Sequence, residues 1–464
     1  NGRYDGTSRF PSDYRWGFFP SVSAAWAIHK ENFIKGSEGV LSRAKLRASY
    51  GTLGNQNVDP YAYQSVLSRS LLDRFSLSGS PLEYITSPNL VPTEITWEEV
   101  KTLDFGVDLG FLENKVNINF DWFKRETLGM LTAGQILPAV LGAAAPQENA
   151  GDLVTKGFEL AFAYNDKFLL GGSDFTFKLG AGLSNSRSKI TKFDNPEGLL
   201  NGFYEGMTIG ELWGFHVEGL FQTEEEVANH ADQTRVSSQI RSQGIKPGDV
   251  KYADSNGDGF VNFGDNTLDN PGDRKVIGNV TPQYLYNFNI GASWKGFDMS
   301  AIFQGVGKQD WYPGPNSQLF WGPYSRPYAS FVRKDLANNI WSPDNPNAYY
   351  PRAFGYIALG NAKTLGSVND RYLQSIAYLR LKNLTVGYNL PDEVLDKTMF
   401  SKVRVYLSGE NILTFSKLTD YIDPEIASNK LSFNQPRGNY GYDDSRGQEA
   451  PMSKTYSLGL SIQF

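Results

Sequence analysis

Residues 102–123 read TLDFGVDLGFLENKVNINFDWF. In the first half Leu103, Phe105, Val107, Leu109 and Phe111 alternate with Asp104, Gly106, Asp108 and Gly110. After LENK at 112–115, Val116, Ile118, Phe120 and Trp122 alternate with Asn117, Asn119 and Asp121. A period of two belongs to a β-strand with two unlike faces. Two such runs across a short turn predict a hairpin. One face is apolar throughout; the other carries carboxylates, amides and glycine. A soluble sheet sets such faces against a core and water. A membrane barrel sets them against lipid and a wet lumen.

The same pattern runs along the whole chain. Phe158, Leu160, Phe162 and Tyr164 form one apolar row, and Phe175, Phe177, Leu179, Ala181 and Leu183 another. Tyr284 to Trp294, Phe297 to Phe303 and Val403 to Leu407 repeat it, as do Pro20 to Ile28 and Leu46 to Tyr50. The run YLRLKNLTVGYNL slips phase near Asn383, which predicts a bulge. The chain closes on KTYSLGLSIQF, where Tyr456, Leu458, Leu460, Ile462 and Phe464 alternate with small or polar residues. Counted together these segments predict about a dozen antiparallel strands.

The connections separate the two settings. Residues 112–115, 166–172 and 295–296 are short turns, whereas 52–97, 132–150, 191–282, 311–370 and 417–450 are long loops. The stretch PDEVLDK in the link 391–401 predicts a helical turn. Only the link at 11–15 breaks this alternation of short and long, and short turns on one side with long loops on the other are the mark of an outer-membrane barrel. A Greek-key sandwich has no reason for that parity. The reading is therefore all-β, a transmembrane antiparallel barrel. Its short turns face the periplasm and its long loops the exterior, with Phe464 at the periplasmic rim.

Composition is compatible with this reading and excludes others. The net charge of −6 argues against a nucleic-acid partner. There is no Cys, hence no disulfide framework. The mean hydropathy of −0.39 contains no apolar run of transmembrane-helix length, but alternation hides the lipid face of barrel strands from such a measure. The three histidines (His29, His216 and His230) are scattered, and no nucleophile elbow, zinc-protease helix or phosphate loop is present. An enzyme is not expected. His216 is expected at an alternating strand position, and TEEEVANHA as a short solvated helix.

Several stretches resemble the SusC/RagA family of TonB-dependent outer-membrane transporters of Bacteroidota. They are RYDGTSRFPSDYRWGFFPSVSAAWAI, KLRASYGTLGNQ, ITWEEVKTLDFGVDLGF, GDVKYADSNGDGFVNFGD, YLRLKNLTVGYNLP, VRVYLSGENILTFSK and the terminal strand. The resemblance spans residues 1–464 and implies the C-terminal dozen strands of a 22-strand barrel. It implies a SusD-like surface lipoprotein as lid and energy from a periplasmic TonB contact. The family's plug, TonB box and first strands have no counterpart in this sequence. The reading therefore expects the remaining half of the barrel and the plug to exist elsewhere, because unpaired strand edges in lipid cost several kcal/mol per group. The function implied is active import of a bulky nutrient, an oligosaccharide first and an oligopeptide second. A passive pore or adhesin is the reading from another class.

Two loops carry candidate site residues. In the long loop 191–282, DSNGDGFVNFGD spaces Asp254, Asn256, Asp258, the Phe260 carbonyl, Asn262 and Asp265 as an EF-hand-type Ca²⁺ loop does, with Gly259 at the sharp bend. The final ligand is Asp rather than Glu, which shortens its reach. An Asn-Gly/Asp-Gly turn without metal uses the same residues. In the loop 311–370, Trp311, Tyr312, Phe320, Trp321, Tyr324 and Tyr328 concentrate aromatic surface. Such rings stack on sugars or bury against a lid protein, or else pack the loop on the barrel rim. The polar rows Asp104/Asp108, Asn117/Asn119/Asp121 and Arg404/Glu410 are expected to face the lumen and solvate the plug.

Overall fold

The computed structural model describes residues 1–464 apart from 35–38, 78–79, 87, 89, 93, 135–138, 143–144, 238–243, 326–331, 354–355, 361–362, 419–420 and 428–449. Twelve strands form one antiparallel sheet: β1 Gly2–Gly6, β2 Trp16–Trp26, β3 Leu41–Asn55, β4 Glu98–Phe111, β5 Val116–Ala133 and β6 Gln147–Leu170. These are followed by β7 Ser173–Phe193, β8 Gln283–Trp294, β9 Phe297–Lys308, β10 Tyr378–Asn389, β11 Lys402–Ser416 and β12 Thr455–Gln463. Each strand pairs with its neighbours in chain order, so the sheet is a pure up-and-down meander with β1 and β12 at its edges.

The hairpin predicted from residues 102–123 is β4–β5, in register from Glu99↔Leu128 to Phe111↔Val116. The tight ends have a turn backbone that three of their four residues, the glycines, adopt freely. Gly171 and Gly172 both have positive φ, as do Lys295 and Gly296, the geometry of two-residue hairpin turns that follow strand twist. The first of these turns is shorter than the 166–172 connection expected, because β6 and β7 continue pairing to Leu170↔Ser173. The register of β10 shifts between Leu381 and Asn383, where the sequence slips phase. A helical turn, Asp392–Leu395, lies in the link between β10 and β11.

The apolar rows form one outer face, and large side chains stay exposed there: Phe105, Phe120, Leu160, Leu407, Leu458 and Leu460 are all exposed. Rings associate across strands, Phe105 stacking on Trp122 and Phe120 on Phe158. In water such a face would be a penalty; in lipid it is the solvated surface.

The long loops do not remain separate. Leu212, Phe215, Val250 and Tyr252 from 191–282, Trp311, Phe320, Trp321 and Tyr372 from the connection between β9 and β10, and Leu418, Ile422 and Ala427 after β11 share one buried core. Most of the fully buried large side chains lie here, not in the sheet. The three loops thus make a cap with its own hydrophobic centre, set on the end of the sheet opposite the short turns.

Candidate functional site

The polar side of the sheet begins with an ionic cluster on β3, β4 and β5. Arg47 donates to Asp108 from Nη2 at 2.9 Å and from Nε at 3.1 Å, and to Asp121 at 3.0 Å. Asn119 donates to Asp108 at 2.9 Å, and Arg43 reaches it at 3.4 Å. The alternation explains the meeting: Asp108 stands opposite Asn119, and Gly106 opposite both Arg47 and Asp121. Gly106 leaves the space for it. A Cβ there would come 2.4 Å from Asp121 Oδ1 and 2.5 Å from the Arg47 guanidinium. A second pair on the same side joins Arg404 to Asp298 at 2.5 and 2.9 Å. Between the two lies an open depression lined by Asn119, Asp121, Glu159, Asn287, Asn289 and Gln304. Four amides and two carboxylates are among its polar groups, beside apolar lining residues such as Ile302; the amides suit hydroxyl- or amide-rich solutes, and these six offer no nucleophile–base pair.

Above the sheet, ion pairs tie the cap loops together. Arg352 grips Asp249 at 2.8 and 3.1 Å in a bidentate pair. Burial pushes the Asp249 carboxyl above its ordinary range, against the pull of Arg352. His216, between two short cap strands, meets Asp370 at 2.5 Å, and Asp370 also accepts the Val217 N–H. Arg380, buried on β10, donates to Asp423 at 2.6 Å and to Glu425 at 2.5 Å, and Lys382 adds a bond to Glu425 at 3.0 Å. This clamps the segment after β11 onto the sheet. The helix Glu224–Asn229 is solvated, with Thr223 accepting the Glu226 N–H as its cap.

The aromatic residues read as ligand or lid contacts are placed otherwise. Trp311, Trp321 and Tyr324 are fully buried and Tyr312 nearly so. Trp321 packs on Phe320 and Tyr372, and its Nε1 donates to the carbonyls of Pro313 and Gly314. The Tyr312 hydroxyl donates to the Ser367 carbonyl and that of Tyr324 to the Pro351 carbonyl. Their ring faces are covered by the chain itself, so these four are the cap's core and not a stacking platform. The physical reason is size: a loop this long buries its own aromatic surface before it can offer it to a ligand. Tyr328 lies outside the described residues.

The Asp254–Asp265 turn is held by its own side chains. Asp254 accepts N–H bonds from Gly257 and Gly259, Asn256 from Asp258, Asp258 from Phe260 and Asn262 from Gly264. Asp265 accepts from the Asn270 side chain. Among the described residues no three Asp, Glu, His or Cys side chains gather where a metal could sit. The two carboxylates of Asp254 and Asp258, the amides and the Phe260 carbonyl keep further lone pairs, a set that fits only a weak cation site. Sequence reading missed Asp273. It is fully buried and accepts the N–H groups of Ser255 and Asn262 at 2.8 and 2.7 Å. Its distance along the chain from the turn left no spacing signal.

Residues 1–412 match the family described as TonB dependent receptor-like, beta-barrel. TonB-dependent receptor P3 of Formosa agariphila is 30% identical over 477 residues, a match covering 100% of this chain and 43% of that protein. TonB-dependent receptor SusC of Bacteroides thetaiotaomicron is 27% identical over 466 residues, covering 100% of this chain and 41% of that protein. Among solved structures, the RagAB peptide importer in its "closed-closed" state superposes with a TM-score of 0.72 at 22% identity, over 100% of this chain and 45% of that one. The chain therefore spans less than half the length of these relatives.

Proposed function

The chain belongs to the TonB-dependent receptor-like β-barrel family, and from that premise we propose that it is the C-terminal part of an outer-membrane transporter importing a bulky nutrient. In this reading the two sheet edges, β1 and β12, pair with the remaining barrel strands. A plug fills the lumen against the Arg47–Asp108–Asp121 cluster, TonB supplies the energy, and a SusD-like lipoprotein rests on the cap as a lid. The observation that carries the reading is the division of one twelve-strand sheet into an apolar outer face and an inner wall of amides and carboxylates, roofed by a packed cap. In this reading the chain is part of a transporter and not an enzyme.

The substrate proposed is an oligosaccharide, whose hydroxyls suit the neutral amide wall. An oligopeptide is the second reading, favoured by the shared fold with the RagAB peptide transporter. The Asp254–Asp265 turn is proposed to take a structural Ca²⁺ at the millimolar level usual for extracellular modules. Cutting the TonB link or deleting the lid gene should abolish growth on the cognate nutrient, and mass spectrometry of solute bound to the purified complex separates sugar from peptide. Unchanged growth, or steady open-channel conductance, would establish a passive pore instead.

A further inference from the structure

The outer face of β5, β6 and β7 changes character row by row. Phe120, Leu160 and Leu183 stand directly opposite one another, and the next row is Trp122, Phe158 and Asn185. Two residues further toward the cap the row is Lys124, Lys156 and Arg187. Three cations thus sit side by side on adjacent strands, about 6–7 Å along the strand from the last aromatic row. Like charges directly opposite destabilise a sheet, so the row calls for an anion. The protein supplies only part of one. Glu126 takes Lys124 at 2.6 Å. Lys156 is exposed and has no carboxylate partner among the described residues. Arg187 is exposed and bonds to the neutral Gln283 side chain at 2.8 Å, with no carboxylate partner among the described residues.

We propose that this row binds the phosphorylated headgroup of an outer-leaflet glycolipid. The inference rests on the membrane orientation given above. The chemistry selects a phosphate: a guanidinium beside an ammonium offers a bidentate fork and a point charge to one tetrahedral dianion. The position selects a lipid. The cations continue the same outward face as Phe120, Trp122, Phe158 and Leu160, so acyl chains lying on those residues bring a headgroup to the next row. Lys and Arg stems follow the apolar surface and carry their charges to that depth. A free phosphate ion would gain nothing from the aromatic row.

The test uses the full-length transporter with its lid, in phosphatidylethanolamine nanodiscs doped with monophosphorylated lipid A, and native mass spectrometry counts retained glycolipid. Wild type retains it, whereas K156Q/R187Q loses about tenfold in retention, the loss of charge-assisted contacts. The inward-facing control K178Q retains it as wild type does. Dephosphorylated lipid A is not retained, and excess inorganic phosphate does not displace the glycolipid. Heat-modified gel mobility verifies assembly; should the double variant not assemble, K156Q alone shows a partial loss. Equal retention by variant and wild type overturns the proposal, as does equal retention of both lipids. Displacement by inorganic phosphate overturns it in favour of a free-anion site. K156C should react with a membrane-impermeant maleimide on intact cells. A variant that binds lipid yet is unreactive from outside overturns the orientation itself.

Discussion

Replacing Trp321 by alanine tests whether the cap's aromatic residues are a core or a binding surface. The indole is fully buried, packs edge-on against Phe320 and Tyr372 with centroids 4.8 and 5.1 Å away, and satisfies two carbonyls through Nε1. Truncating a buried Trp costs about 3–5 kcal/mol, and at about 1.4 kcal/mol per decade that multiplies the open population of the cap by a factor from about 10² to roughly 4 × 10³. The sheet should not share the loss, because its strands are held by their own ladders. Hydrogen exchange read by mass spectrometry is the assay. Amides at Val250–Tyr252 and around Phe215, which belong to a different loop from Trp321 but to the same core, should exchange faster by that factor, while those of β5 and β6 stay unchanged. Unaltered protection of the 191–282 loop together with weakened solute binding would refute the shared core and restore the rings as ligand contacts.

Three further outcomes follow from the same geometry. Phe120→Arg should impair assembly by about 2–4 kcal/mol, the cost of a cation near the bilayer midplane of a barrel. Asn119→Lys, facing inward beside Asp108 and Asp121, should assemble normally in heat-modifiability assays, and equal loss for both would show the faces to be misassigned. The clamp after β11 should be acid-labile. Burial raises the Asp423 carboxyl, but Arg380 and two backbone N–H groups outweigh it and hold it below its ordinary value. With the folded value lower than the unfolded one, the stabilisation is complete above the unfolded value of about 3.8 and disappears as pH falls through the folded one. Proteolysis of residues 421–427 should therefore rise only below about pH 4, and release near neutrality would contradict the pairing. Millimolar Ca²⁺ should protect the Asp254–Asp265 turn from proteolysis, with Asp258→Ala abolishing the effect; identical cleavage with chelator and with Ca²⁺ would leave a turn that closes without metal.

The sheet was legible in the sequence because each membrane strand reports its own two faces. Leu103 to Phe111 and Val116 to Trp122 needed no long-range information, and neither did the slip at Asn383. What the period could not report was where each strand stops. β6 runs from Gln147 to Leu170, well past the apolar row at Phe158–Tyr164, because Lys156 and Val154 continue the ladder outside the apolar band. Pairing is a backbone property and persists after the side chains cease to alternate in polarity. The cap was illegible for the opposite reason. Trp311 and Trp321 fall in a stretch without period, and whether such a ring faces a ligand or a neighbour depends on Phe215, Tyr252 and Ile422, which lie far away in the chain. The polar rows were expected on the lumen side but their chemistry was not visible. Gly106 reads as a small residue in a strand, and only the ladder reveals that its missing side chain is where Arg47 reaches Asp121.

The cap meets the sheet through the ion pairs after β11 and through packing and backbone bonds at the end of β7, where Ile190 joins Leu200, Tyr204 and Met207. Its three loops share one core, so displacing a single loop would expose apolar surface from the other two. The segment after β11 is tied to the sheet by Arg380, which leaves Asp423 without its cation if it lets go, while Lys382 still holds Glu425. Removing one partner from so buried a pair costs about 3–5 kcal/mol. Releasing the clamp therefore frees the segment after β11 first, while the end of β7 keeps the 191–282 loop on the sheet. Arg380→Met should accordingly loosen residues 421–427 without selectively opening the Trp321 core. Hydrogen exchange that rises around Trp321 but not at 421–427 would place the weak joint inside the cap and not at its attachment.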